Sequence, residues 1–350
     1  LTCEHTIIQV VTILDDRRKK VHTEQWQMYS LDGIDIPLNL QGLRQTLKQK
    51  VAIAIPQSFH GSPDIGKFDA ENYAYYTLPV MSTGFNFKYN ASKLFVTSGR
   101  SEFVVKEGLK REWNLWHMDN LAQLLALVIN ELISKGATPN MIYKFVPDAS
   151  QIRNSMDECI FNSFKSKVES KEIRLFYTSQ GKWREKENIW MNWNGLHDLL
   201  PEESGRYLIN PKLRKYKRIF ESYGINEFGL RGFIDYLESR YGTDPHHTKQ
   251  SEDPERIRKI FEYLERQIIE SPLIERLRRI CILLTSEGIL RSYEYGVYFP
   301  TDEEMPLISK DDILHHLTYS TKSALKFLKD KLKVKKMNLH YLIADSFIPR

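Results

Sequence analysis

Cysteine is scarce: Cys3, Cys159 and Cys281 are the only three in 350 residues. Three scattered thiols make no disulfide framework and no pair has zinc-ligand spacing, so a reducing compartment is the simplest reading, cytoplasmic with the nucleus as the alternative. No apolar run approaches the ~18 residues of a membrane span, and no basic segment leads into an apolar one as in a secretory leader. Phosphate-cradling loops are missing: there is neither a Walker pattern nor Gly-x-Gly-x-x-Gly, and Gly33 and Gly84 stand alone as turn glycines. Ser98 lacks the Gly-x-Ser-x-Gly elbow of a nucleophile. The histidines occur as adjacent pairs, His246-His247 and His315-His316. Helical neighbours point about 100° apart, so neither pair shares a metal-binding face. Cys3 and His5 have no second pair to complete four ligands. Asp15-Asp16, Glu202-Glu203 and Asp311-Asp312 read as turn and helix-start acids. No catalytic centre, metal site or cofactor pocket is legible within these residues.

What is present is material for packed cores: 41% hydrophobic and 12% aromatic residues, with 27% charged. The length argues for two or three domains. A net charge of +5 is a mild bias, well short of a nucleic-acid stripe.

Residues 7–14 are β-branched and read as a strand, with a charged turn and a hairpin partner at 25–30. Leu40, Leu43 and Leu47 have helical spacing. Val51 to Pro56 reads as a buried strand ended by proline, and strands at 73–80, 85–90 and 93–98 complete a sheet. Leu121, Leu124, Leu125, Val128 and Leu132 form a helical stripe with Gly136 as its cap, and Thr138-Pro139 restarts a helix. Ser155 with Glu158 forms a capping-box pattern. Trp113 and Trp116 share a helical face and read as core. Further helices are expected at 211–223, 227–241, 254–270, 272–285, 309–318 and 321–334, with a linker at 243–253. Phe176 to Arg184 and Leu283 to Arg291 echo each other as strand, Gly turn and returning strand. The expectation is an α+β fold in three parts: a mixed-sheet domain at 1–112, a helix-rich segment with a hairpin at 113–200, and a mainly helical region at 201–350 with a hairpin near 283–299.

Two features carry charge in a suggestive place. Leu94 to Arg100 ends a strand in an arginine just before a long helix, where a guanidinium is suited to grip an anion such as a phosphate. Local pairing with Glu102 or Glu112 is the competing reading. Lys322, Lys326, Lys329, Lys331, Lys333, Lys335 and Lys336 interleave with Leu325, Leu328 and Leu332. That pattern is a solvated helix face, or a surface for an acidic partner, a membrane headgroup or nucleic acid.

Leu78-Pro79, Thr83-Gly84, Phe95 to Arg100 and Trp113-Asn114 before the Leu121 to Leu132 helix resemble the repeat of sacsin-type proteins. Tyr298 to Asp302 resembles that family's Leu-Pro-Thr segments. Ser101 stands where the family has a second arginine. The resemblance implies a histidine-kinase-like ATPase domain followed by an α+β domain related to the middle domain of the ninety-kilodalton heat-shock chaperone. This chain would be the middle and post-middle region. Glu131 lies one residue after Asn130, the wrong order for the family's nucleotide helix, and Asp-x-Gly-x-Gly is absent. ATP and Mg are therefore expected in a domain preceding Leu1, with no hydrolysis by these residues alone. Arg100 is expected to reach the γ-phosphate, and Lys322, Lys326, Lys329, Lys333 and Lys336 to meet a protein client or co-chaperone. The alternatives are a nucleotide-independent interaction scaffold and, less favoured, a nucleic-acid module using the basic C-terminal helix.

Overall fold

A computed structural model describes residues 2–15, 18–43, 48–57, 72–75, 79–91, 94, 106–200, 204–243, 252–300 and 312–336. The fold is α+β. It divides into two compact units, one of Leu1–Met191 with Ile209–Asn226, the other of Asn192–Leu208 with Glu227–Arg350.

In the first unit, β1 (Thr2–Asp15) and β2 (Arg18–Asp35) form the expected antiparallel hairpin, longer than the β-branched core of its sequence. β3 (Lys48–Gln57) pairs with β2 and runs through Pro56 instead of stopping there. Of the helix expected from the Leu40–Leu43–Leu47 spacing, the described part is a 3-10 helix, Leu38–Leu43; Leu47 lies outside the described residues, and Lys48 already belongs to β3. β4 (Asn72–Tyr75), β5 (Pro79–Thr83) and β6 (Lys88–Ala91) complete a six-stranded sheet in the order β1-β2-β3-β6-β4-β5, antiparallel except for β4 against β6. The expected strand at 93–98 lies, apart from Leu94, outside the described residues.

Side chains alternate as a pleated ladder requires. In β3 Val51, Ile53 and Ile55 are buried between half-buried alanines, and in β6 Tyr89 and Ala91 are buried while Asn90 is exposed; Phe85 and Phe87, expected within a strand at 85–90, are buried in the bend that precedes β6. α1 (Gly108–Ser134) packs on β2, β3 and β6. It buries Leu121, Leu124, Leu125 and Val128, the stripe read from sequence. Trp113 is fully buried against Ile36 and Leu40, with Trp116 packed alongside. Gly136, at φ +80°, ends α1. Thr138 then caps α2 (Pro139–Phe145), its hydroxyl accepting from the Met141 amide. α3 (Ser155–Glu169) follows, capped by Asn154 and not by the expected Ser155, because the Asn154 carboxamide reaches the amides of Met156 and Asp157.

A short hairpin pairs Phe176 with Arg184 and Tyr177 with Trp183. The Tyr143 hydroxyl ties α2 to it, donating to Leu175 O at 2.8 Å and accepting from the Tyr177 amide at 3.0 Å. A 3-10 helix (Pro211–Tyr216) and α4 (Lys217–Ser222) close the unit where a single helix at 211–223 was expected.

The second unit packs α5 (Leu230–Tyr241), α6 (Pro254–Arg266) and α7 (Ser271–Arg279) around Phe233, Ile234, Leu237, Ile260, Phe261 and Leu264. α6 ends at Arg266, short of 270, and Ser271-Pro272 starts the next helix. α7 ends at Arg279, short of 285, because Leu283 and Leu284 enter a second hairpin with Arg291 and Leu290. The helix expected at 309–318 is, where described, an extended bridge at Ile313–Leu314 and a 3-10 helix, His316–Tyr319. α8 (Lys322–Lys326) continues as a π-helical turn, Phe327–Lys331, and stops before Lys333, which has φ +64°.

Trp113 fills the space between α1 and the 3-10 helix. We expect Trp113→Ala to cost roughly 3–5 kcal/mol, measured as a lowered urea midpoint at unchanged m-value.

Candidate functional site

Three elements distant in sequence meet at one carboxylate. Asp157, in the first turn of α3, is completely buried. The Thr83 hydroxyl donates to its Oδ1 at 2.6 Å. The amides of Gly84 and Arg153 donate to Oδ2 at 3.0 and 3.1 Å. The Tyr89 hydroxyl lies 3.5 Å from Oδ1. Burial first, and then the neighbouring carboxylate, push the Tyr89 phenol well above its ordinary range. Thr83 Oγ1 also accepts from the Phe85 amide at 3.2 Å, which shapes the turn between β5 and β6. A Cβ on Gly84 would stand 1.6 Å from Gln151 O, so only glycine allows the turn this close to the segment before α3. Thr83 and Gly84 are residues of the sacsin-like pattern. Asp157 is not, and its signal in sequence is no more than an acid three residues after an Asn cap. This arrangement holds the end of the sheet against a helix N-terminus.

Arg100, with Phe95 to Gly99, lies outside the described residues. Glu112, one carboxylate considered for it, is on α1 and accepts from Asn39 Nδ2 at 3.3 Å. Trp113 and Asn114 are both buried.

In the second unit Lys322, Lys326, Lys329, Lys333 and Lys336 are all exposed. Lys326 Nζ pairs with Glu265 at 2.8 Å and Lys329 Nζ stands 5.8 Å from the Phe299 ring centroid. Lys331 turns away from this face. Its ammonium donates to the carbonyls of Leu264, Glu265 and Gln267 at 3.2, 2.7 and 2.9 Å and caps the C-terminus of α6.

His315 and His316 stack with ring centroids 4.9 Å apart. His315 caps the 3-10 helix, its Nδ1 accepting from the Leu317 amide at 3.3 Å. Among the described residues no three His, Cys, Asp or Glu side chains are grouped to hold a metal ion. No helix among them is long and apolar enough to cross a membrane. His246-His247 lies outside the described residues. Compared with known proteins, the chain matches no family model, no curated protein and no solved structure.

Two outcomes follow from these contacts. Asp157→Asn turns one acceptor oxygen into a donor facing an amide or a hydroxyl. The expected loss is roughly 3 kcal/mol, read by chemical denaturation, with faster amide exchange at Gly84 and Phe85. Burial and then His316 lower the folded pKa of His315 below its ordinary 6.5. The unfolded chain therefore takes up this proton first as pH falls, and the stability present above about 6.5 is lost through the depressed folded value. A protonated Nδ1 cannot accept from Leu317. The protection factor of the Leu317 amide, its observed exchange rate divided into the intrinsic base-catalysed rate at each pH, should fall between pH 7.5 and 5.5, and His315→Ala should abolish that fall.

Proposed function

We propose that this chain is the middle and post-middle region of a sacsin-type ATPase, a chaperone-like module that relays nucleotide state to a client- or partner-binding helical region. The observation that carries the reading is the Asp157 junction. The Thr83-Gly84 turn, which leads through β6 toward Arg100, is fastened to Asp157 at the start of α3 by two hydrogen bonds, from the Thr83 hydroxyl and the Gly84 amide. A displacement of that end of the sheet is thereby passed to α3, and a relay needs such a stiff connection. The sheet half corresponds in this reading to the heat-shock chaperone middle domain. Arg100 contacts the γ-phosphate of ATP held, with Mg, by a histidine-kinase-like domain outside these residues. Its guanidinium supplies positive charge where negative charge gathers in phosphoryl transfer. The exposed lysines at 322, 326, 329, 333 and 336 suit an acidic segment of a protein client or co-chaperone.

The test uses the polypeptide that carries the ATP domain and measures ATP turnover together with suppression of aggregation of a heat-denatured reporter. Arg100→Ala should lower turnover by roughly 10³-fold and remove the effect of ATP on suppression. Wild-type turnover by this variant would strike out the phosphate role. Suppression indifferent to nucleotide would favour the scaffold, and salt-sensitive oligonucleotide binding in place of suppression would favour the nucleic-acid module.

A further inference from the structure

The two hairpins are the visible part of a larger correspondence. In the first, the Thr178 amide donates to Lys182 O at 2.9 Å and the Gly181 amide to Thr178 O at 3.0 Å. In the second, the Thr285 amide donates to Ile289 O at 2.8 Å and the Gly288 amide to Thr285 O at 3.0 Å. Both threonines are fully buried and both glycines have positive φ, +74° and +78°. Beyond the hairpins the sequences diverge, but the hydrogen bonds do not. Thr178 bridges antiparallel to Ile209 as Thr285 does to Leu314. The Asn210 amide donates to Tyr177 O and the His315 amide to Leu284 O, at 3.0 and 2.9 Å. Ile209 N reaches Trp190 O and Leu314 N reaches Tyr298 O, at 2.9 and 3.0 Å. Met191 N reaches Asn226 O and Phe299 N reaches Lys335 O, at 2.9 and 3.0 Å. Asn210 and His315 each cap a 3-10 helix with a side-chain acceptor, and each 3-10 helix leads into a short helix.

The spacing between equivalents is nearly constant: 107 residues for Thr178 and Thr285, 108 for Trp190 and Tyr298, 105 for Ile209 and Leu314, 109 for Asn226 and Lys335. The π-helical turn at Phe327–Lys331 falls where the second copy is longer. Upstream, α1 and α5 end at Ser134 and Tyr241, each just before a glycine of positive φ, and two helices precede each hairpin.

In the first copy the arm between Met191 and Ile209 leaves its own unit, and residues 192–208 belong to the unit that holds the second copy. There Asn192, almost fully buried, donates from Nδ2 to Phe228 O at 2.8 Å and accepts at Oδ1 from the amides of Asn194 and Leu196 at 3.0 and 3.3 Å. Leu196, Leu199 and Leu200 are buried. Leu199 O accepts from Arg256 Nη2 on α6 at 3.1 Å, and the Arg206 guanidinium lies over the rings of Phe228 and Tyr236, 5.9 and 5.6 Å from their centroids.

We infer that residues 173–200 with 204–226, and 280–300 with 312–335, are two copies of one module, and that the described arm of the first, residues 192–200 and 204–208, is a docking element whose partner is the α5–α6 face of the unit carrying the second. The arm donates from Asn192 to the Phe228 carbonyl ahead of α5 and from Arg206 to Gly232 O on α5, and it accepts at Leu199 O from Arg256 of α6, so a segment of the first copy completes the second unit. This does not depend on the chaperone reading.

Hydrogen exchange on the full chain tests it. Asn192→Ala removes the acceptor for two amides and the donor to Phe228. It should lower protection across α5 and α6 by roughly tenfold and leave α1 and α3 within about twofold of wild type. Leu199→Ala, which keeps every polar contact of Asn192, should act on the same elements and serves if Asn192→Ala fails to fold. Unchanged protection in α5 and α6, or equal loss in both units, would overturn the inference, because the arm would then be an ordinary loop or the chain one cooperative body.

Discussion

A single buried carboxylate sets the geometry of the sheet unit. Asp157 accepts from the Thr83 hydroxyl and from the amides of Gly84 and Arg153, groups up to 74 residues away in sequence. A buried acceptor of this kind is costly unless its donors are in place, and it therefore fixes them. The absent side chain at Gly84 is the other half of the constraint, since any Cβ would meet Gln151 O. Sheet, turn and helix start are held together by one group that contributes little to the apolar core.

The second unit relies on a comparable device made of neutral and basic groups. Asn192 satisfies three backbone groups, Arg256 one carbonyl of the arm, and Lys331 three carbonyls at the C-terminal end of α6. Each polar side chain fills a place where a helix end or an irregular segment would leave backbone unpaired. The lysines that remain exposed, at 322, 326, 329, 333 and 336, have no such structural duty beyond the pairing of Lys326 and the ring contact of Lys329. They carry the basic character of this surface.

Periodic features were legible in the sequence. Phe85, Phe87 and Tyr89 announce one buried face, the leucine stripe announces α1, and the Thr-Ser-x-Gly echo announces two hairpins that form with equivalent pairing. Helix ends were less legible. Residues 272–285 look helical by composition, yet Leu283-Leu284 is claimed by a strand pairing with Leu290-Arg291. There a cross-strand pairing overrode a local preference.

The sequence by itself determined which segments alternate, which are amphipathic and where glycine and proline punctuate them, because those properties follow from side-chain periodicity and the backbone freedom of single residues. Only the tertiary structure decided that Asp157 would receive Thr83 and Gly84, that Asn192 would receive Phe228, and that modules with little shared sequence beyond a hairpin would share their ladder of hydrogen bonds. Those contacts depend on which distant backbone groups come within about 3 Å of each other, a distance that no local pattern encodes.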